Sequence, residues 1–217
     1  MKEDSLADRA YNELRKKILS NQLLAGSRLK EDEWSKKLDV NRMALREALT
    51  RLQGEQLLTK GEKGGFFVKT FSGEDIRDIR ELREILETGA IRLLIEKITG
   101  DQLTELERIC DDFTSMYERG YFNGACEADV KFHETLIEYT GNQKLINAYF
   151  ASNIPLFHQK LGLTQTHMDD YELTDAEHRE IVKALRMKDL ELAENTLTTH
   201  LVRGEVTTLD LVSHSFL

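Results

Sequence analysis

Four residues of this 217-residue chain have types and spacings that can do chemistry together: Asp129, His133, His178 and His200. Asp129 and His133 lie four positions apart, hence on one face of a helix, and Phe132 and Leu136 mark that side as packed. His178 sits one turn before Val182 in a second helical pattern, and His200 lies between Leu197 and Leu201 in a third. Three helices can thus bring one carboxylate and three imidazoles to a point. Burying such groups costs free energy unless each is hydrogen-bonded or ligates a cation. Two readings stay open from the residues alone: histidines that pair within a core, or a metal site. For a metal, a nitrogen and oxygen donor set without thiolate suits zinc first, then nickel or another transition metal. Four protein ligands leave an open position only if coordination exceeds four.

The elements that must position these residues are helices. Ser72 with Asp75 reads as a capping box, and Ile76, Ile79, Leu82, Leu86, Ala90 and Leu93 mark a helix ending near Gly100. Leu103, Leu106, Ile109, Phe113 and Met116 mark a second, ending near Gly120, and a third runs from about Asn123 to Thr140. A fourth is expected from Gln143 to Leu163, kinked at Pro155, the only proline. The polar stretch 164–173 reads as a loop, Thr174 to Glu177 as a capping box opening a fifth helix, and Asp189 as the cap of a sixth. The expectation for 72–217 is an antiparallel six-helix bundle, whose sites lie between facing helices. Arg83 and Glu87, four apart on its first helix, can present a guanidinium to a carboxylate ligand, or form a plain intrahelical pair. Asn153 and His158, beside the kink, are further pocket candidates, and Cys126 reads as a bystander thiol.

Residues 1–71 have another character. Leu45, Leu49 and Leu52 recur at helical spacing behind Asn41 as N-cap, while Arg42, Arg46 and Thr50 step along the opposite face. A short helical pattern with Trp34 and Leu38 precedes this run across a tight connection, which makes a helix-turn-helix. Leu57 to Lys60 and Phe66 to Lys69, around Gly61 to Gly65, read as a β-hairpin wing. The fold class expected is mainly α: a winged helix-turn-helix followed by the bundle. Arg42 and Arg46 are the first candidates for contact with a guanine edge or a phosphate. Asn41 and Ala44 lie on the approach edge, and Gly64 and Gly65 let the wing come close to the DNA backbone.

Charge follows the same division. Residues 1–70 hold 15 Lys and Arg against 11 Asp and Glu, leaving 30 − 15 = 15 against 39 − 11 = 28 for 71–217, so the formal −9 splits into +4 and −13. A modestly basic part can meet phosphates while an acidic part stays off DNA. Cys110 and Cys126 form no CxxC pair, and there is no signal-peptide-like start or 18-residue apolar run, so a reducing cytoplasm and no membrane contact are expected.

Residues 26–31, 38–42, 45–49 and 64–68, Gly26-Ser27-Arg28-Leu29-Lys30-Glu31 through Gly64-Gly65-Phe66-Phe67-Val68, resemble the winged-helix domain of GntR-family bacterial transcription regulators. Asp129-Val130-Lys131-Phe132-His133, the segment from Glu177 to Leu185, and Ala193 through Leu201 resemble the ligand-binding FCD domain of the FadR subfamily. That resemblance implies a divalent metal at Asp129, His133, His178 and His200, with an organic acid completing its coordination. It implies a homodimeric repressor on a pseudo-palindromic double-stranded operator. Glu33 stands where some members of the family carry a basic DNA contact, and Met43 replaces a small polar residue. The competing expectation is a metal-dependent hydrolase or lyase using the same four residues to activate water.

Overall fold

The computed structural model describes residues 5–19, 22–70, 72–152 and 168–214. The chain divides into two compact units, Met1–Phe71 and Ser72–Leu217.

The first unit runs α1 (Leu6–Leu19), β1 (Arg28–Leu29), α2 (Glu31–Lys37), α3 (Arg42–Gly54), β2 (Leu58–Lys60) and β3 (Phe66–Val68). Ala7, Ala10, Leu14 and Ile18 form the buried stripe of α1, and it packs on the buried stripe of α3, Leu45, Ala48, Leu49 and Leu52. Asp39 turns the chain between α2 and α3 with φ of 51°, a conformation that a short polar side chain tolerates. Asn41 then caps α3, its side-chain oxygen accepting the Ala44 amide at 2.8 Å. The expected hairpin gains a third strand: the antiparallel order is β1-β3-β2, with Arg28 and Thr59 both opposite Phe67. Two residues of β1 carry no alternation from which a strand could be read.

The second unit holds six helices among the described residues: α4 (Gly73–Leu94), α5 (Gly100–Glu118), α6 (Phe122–Tyr139), α7 (Gln143–Ala151), α8 (Met168–Met187) and α9 (Leu190–His214). Ile91 and Leu94, Leu106 and Ile109, Phe132 and Leu136, Ile181 and Leu185, and Leu197 and Leu201 bring α4, α5, α6, α8 and α9 into one core. The Ser72–Asp75 capping box forms as expected. Gly100 opens α5 behind a second box, Thr99 with Gln102, rather than ending α4.

The loop expected at 164–173 is overturned for its described part, since α8 already runs from Met168. Tyr171 is buried there among Phe113, Tyr117 and Phe122, with ring centroids 5.3 to 6.1 Å away. Thr174 consequently lies inside the helix and caps nothing; its hydroxyl accepts Arg203 Nη2 at 2.8 Å. Asp189 does cap α9, accepting the Leu192 amide at 3.0 Å. Pro155, Asn153 and His158 lie outside the described residues. No described helix is long and apolar enough to cross a membrane.

Candidate metal centre and nucleic-acid interface

Three helices of the bundle converge on one point. Asp129 and His133 come from α6, His178 from α8 and His200 from α9, all buried, with one donor atom from each lying within 4.8 Å of the others. Asp129 Oδ1 stands 3.2 Å from His178 Nε2, 3.7 Å from His133 Nε2 and 4.0 Å from His200 Nε2. The His178 ring stacks on Phe132, centroids 4.1 Å apart, which fixes its plane.

The opposite ring nitrogens decide which atoms face inward. His133 Nδ1 lies 2.7 Å from Glu87 Oε2 on α4, and His200 Nδ1 lies 2.8 Å from Glu177 Oε2 on α8. A carboxylate at Nδ1 holds the proton there and leaves Nε2 as the lone-pair donor. The two Nε2 atoms are only 3.1 Å apart. Two lone pairs at that distance repel unless a proton or a cation lies between them. Donors that share a transition metal at about 2.0–2.2 Å stand roughly 3 Å apart, so the donor set and its spacing fit such an ion.

Each carboxylate behind a histidine is itself clamped. Glu87 Oε1 accepts Arg83 Nε at 2.7 Å and the Tyr149 hydroxyl at 3.4 Å. Glu177 accepts Arg203 through two nitrogens, at 3.0 and 2.6 Å. Burial pushes the Glu87 carboxyl up, but Arg83 and His133 outweigh it and hold the group below the ordinary carboxylate range. Burial likewise opposes ionisation of Glu177, and hydrogen bonds from His200 and Arg203 bring it down to about 2. Burial drives His178 down and, aided by the neighbouring histidines, holds His200 at about 3, whereas at His133 burial is outweighed by the Glu87 carboxylate, which raises the ring. A cavity of about 50 Å³ borders the cluster, lined by Cys126, Asp129, Tyr171, Thr174, His200 and Arg203.

The arrangement shows the intrahelical Arg83–Glu87 pair, one of the two readings open from the sequence, and adds residues the sequence reading passed over. Arg83 is buried and its Nε is committed to Glu87, so the pair stands behind His133 in this structure. Glu177 and Arg203 were missed, although a spacing signal existed: Glu177 precedes His178, and Arg203 follows His200 by one turn. Tyr149 had no such signal.

The first unit sets its candidates out differently. Arg42 and Arg46 are exposed on α3, paired with acids of the first turn of α2: Arg42 Nη2 lies 2.7 Å from Asp32 and Arg46 Nη2 2.8 Å from Glu31. Met43 between them is 84% exposed. Asn41 is occupied as the cap, and Ala44 is half-buried. Gly64 and Gly65 turn the wing with φ of 82° and 89°, values that cost a side chain dearly.

A winged helix with an exposed basic helix face, followed by a helical bundle with a buried Asp/His cluster, defines the architecture of a DNA-binding regulator. Residues 6–68 match the bacterial regulatory proteins of the gntR family, and residues 78–203 match the FCD domain. The chain belongs to the GntR family of bacterial transcription regulators, among those that carry an FCD domain. It is 28% identical over 196 residues to the HTH-type transcriptional regulator YdhC of Bacillus subtilis (strain 168), covering 88% of this chain and 85% of that one. It is 25% identical over 192 residues to the HTH-type transcriptional repressor RspR of Escherichia coli (strain K12), covering 88% and 83%. The solved structure of E. coli McbR/YncC shares the fold, with a TM-score of 0.82 at 19% identity over 96% of this chain and 99% of that one. Family and relatives are transcription regulators, so the hydrolase or lyase expectation is set aside.

Proposed function

We propose that the chain is a homodimeric repressor in which residues 1–71 read a pseudo-palindromic operator. Residues 72–217 hold one divalent transition metal, zinc ahead of nickel, and a small carboxylate effector. The observation that carries this reading is the convergence of three imidazole nitrogens and one carboxylate oxygen in a buried site, with Glu87 and Glu177 holding the far side of two rings. Such partners fix ring orientation and tautomer, and they would be superfluous for histidines that merely fill space.

Asp129, His133, His178 and His200 would hold the ion, which when bound supplies coordination positions for a carboxylate oxygen. The rest belongs to the chain. Glu87, held by Arg83 and Tyr149, keeps His133 Nε2 aimed inward, and Glu177, held by Arg203, does the same for His200. The cavity edged by Thr174 and Arg203 offers the acid a place with a cation at its rim. An acid seated there bears on α6, α8 and α9 directly and on α4 through Glu87. It regulates only if it binds the DNA-competent and incompetent forms unequally.

Elemental analysis of protein purified without added metal, wild type beside His178→Ala, tests the site. One divalent ion per chain, lost in the variant, is expected. No ion in either protein after supplementation refutes the metal. With the metal in place, the effector is sought among small carboxylic acids by a rise in melting temperature and a change in operator affinity.

A further inference from the structure

We infer that Glu31, an acidic residue on the DNA-facing side of the winged helix, is a positioning residue for sequence reading: it aims the Arg46 guanidinium at a guanine. The inference rests on α3 being the recognition helix. Glu31 is the first residue of α2, and its side chain is only 24% exposed, against 68% for Arg46. It grips one edge of the guanidinium at two points, Oε2 to Nη2 at 2.8 Å and Oε1 to Nε at 3.4 Å. Nη1 has no partner among the described residues, and Arg46 lines an open groove together with Glu31, Arg28 and Gly65. The end formed by Nη1 and Nη2 is the fork that meets O6 and N7 of guanine. A long side chain ordered before DNA arrives reads that edge without having to be ordered on binding.

The neighbouring pair is different. Asp32 and Arg42 are both largely exposed, at 68% and 71%, and meet through one nitrogen at 2.7 Å. Nothing there fixes a plane, and a loosely held guanidinium suits a phosphate, which accepts from many directions.

The proposal predicts a sign that simple electrostatics does not. Removing a carboxylate from a DNA-facing surface should by charge alone strengthen binding to any duplex. If Glu31 aims Arg46, Glu31→Ala instead weakens operator binding while non-specific binding holds or rises. The measurement uses full-length protein, a duplex selected by the wild type from a random pool, and a scrambled duplex of equal length. For Glu31→Ala the ratio of the two affinities should fall about tenfold, in the range set by losing a well-formed bidentate guanine contact. Glu31→Gln, which keeps one acceptor, should fall between. In an Arg46→Ala background Glu31→Ala should leave the ratio unchanged. The proposal is overturned if Glu31→Ala raises both affinities together, or if it lowers the ratio equally with and without Arg46. Should Arg46→Ala alone leave operator binding intact, α3 is not the reading helix and both ideas fall. A loss in Arg46→Ala with none in Glu31→Ala sinks only the positioning role.

Discussion

Arginine–carboxylate pairs occur in both units and serve opposite ends. On the winged helix, Arg42–Asp32 and Arg46–Glu31 lie on the surface, where ion pairs contribute little to stability; a phosphate can replace the acid at Arg42, and at Arg46 the far end of the guanidinium stays open to a base beside the retained acid. In the bundle, Arg83–Glu87 is 7% and 0% exposed and hydrogen-bonded onward to Tyr149, with His133 beside it. The same chemistry is exchangeable in one setting and fixed in the other, because the dielectric around it decides what breaking it costs. DNA contact needs the first arrangement, and a preformed metal site needs the second.

The fixed pair has its largest consequence at Arg83. Replacing it with Met leaves the Glu87 carboxylate buried with only His133 and Tyr149 beside it, and loss of one member of a buried pair costs about 3–5 kcal/mol. The bundle should lose that stability in urea while the winged helix keeps its own. Trp34, the only tryptophan, reports the first unit by fluorescence, and far-ultraviolet circular dichroism is dominated by the helices of the second. A shift confined to the dichroism signal is expected. Equal shifts in both signals, or none, would contradict the contrast.

Metal binding should act on the bundle alone, with a smaller effect. An ion bound only by the native bundle stabilises it by about 2.7 kcal/mol at a hundredfold excess over its dissociation constant. Zinc added to chelated protein should therefore raise the dichroism midpoint and leave the Trp34 midpoint in place. His178→Ala should abolish the rise, and a rise that survives in the variant would place the ion elsewhere.

Legibility in the sequence divides along similar lines. The helices that carry strict apolar stripes were readable, and so was the cap at Asn41, because both signals are local. The four donors were readable as helical-face residues, since Asp129 and His133 announce their spacing. What lies behind them was not: Glu87 is 46 positions from His133, and only tertiary packing brings α4 against α6. The start of α8 failed for the related reason that Tyr171 is buried by distant aromatics while its neighbours in sequence are polar. Thr174 and Glu177 have capping-box types, yet their side chains serve Arg203 and His200 instead.

Smaller effects belong to the winged helix. Asn41→Ala removes a side-chain acceptor from the Ala44 amide and should cost about 1 kcal/mol, visible in Trp34 fluorescence alone. Arg42→Ala should change neither midpoint, because its partner Asp32 remains hydrated when the pair is lost. The same substitution should weaken binding to operator and scrambled duplex in parallel and flatten the dependence of the logarithm of affinity on that of salt by about one unit, the mark of one lost phosphate contact. Stability untouched and DNA affinity reduced is the combination that an exchangeable surface pair requires. Arg83→Met, by contrast, cannot separate the two, since the group that would serve the ligand site is also the one that holds the bundle together. If Arg42→Ala destabilised the winged helix as much as Asn41→Ala does, its pair with Asp32 would be structural, and the division between exchangeable and fixed pairs would fail where it is drawn most plainly.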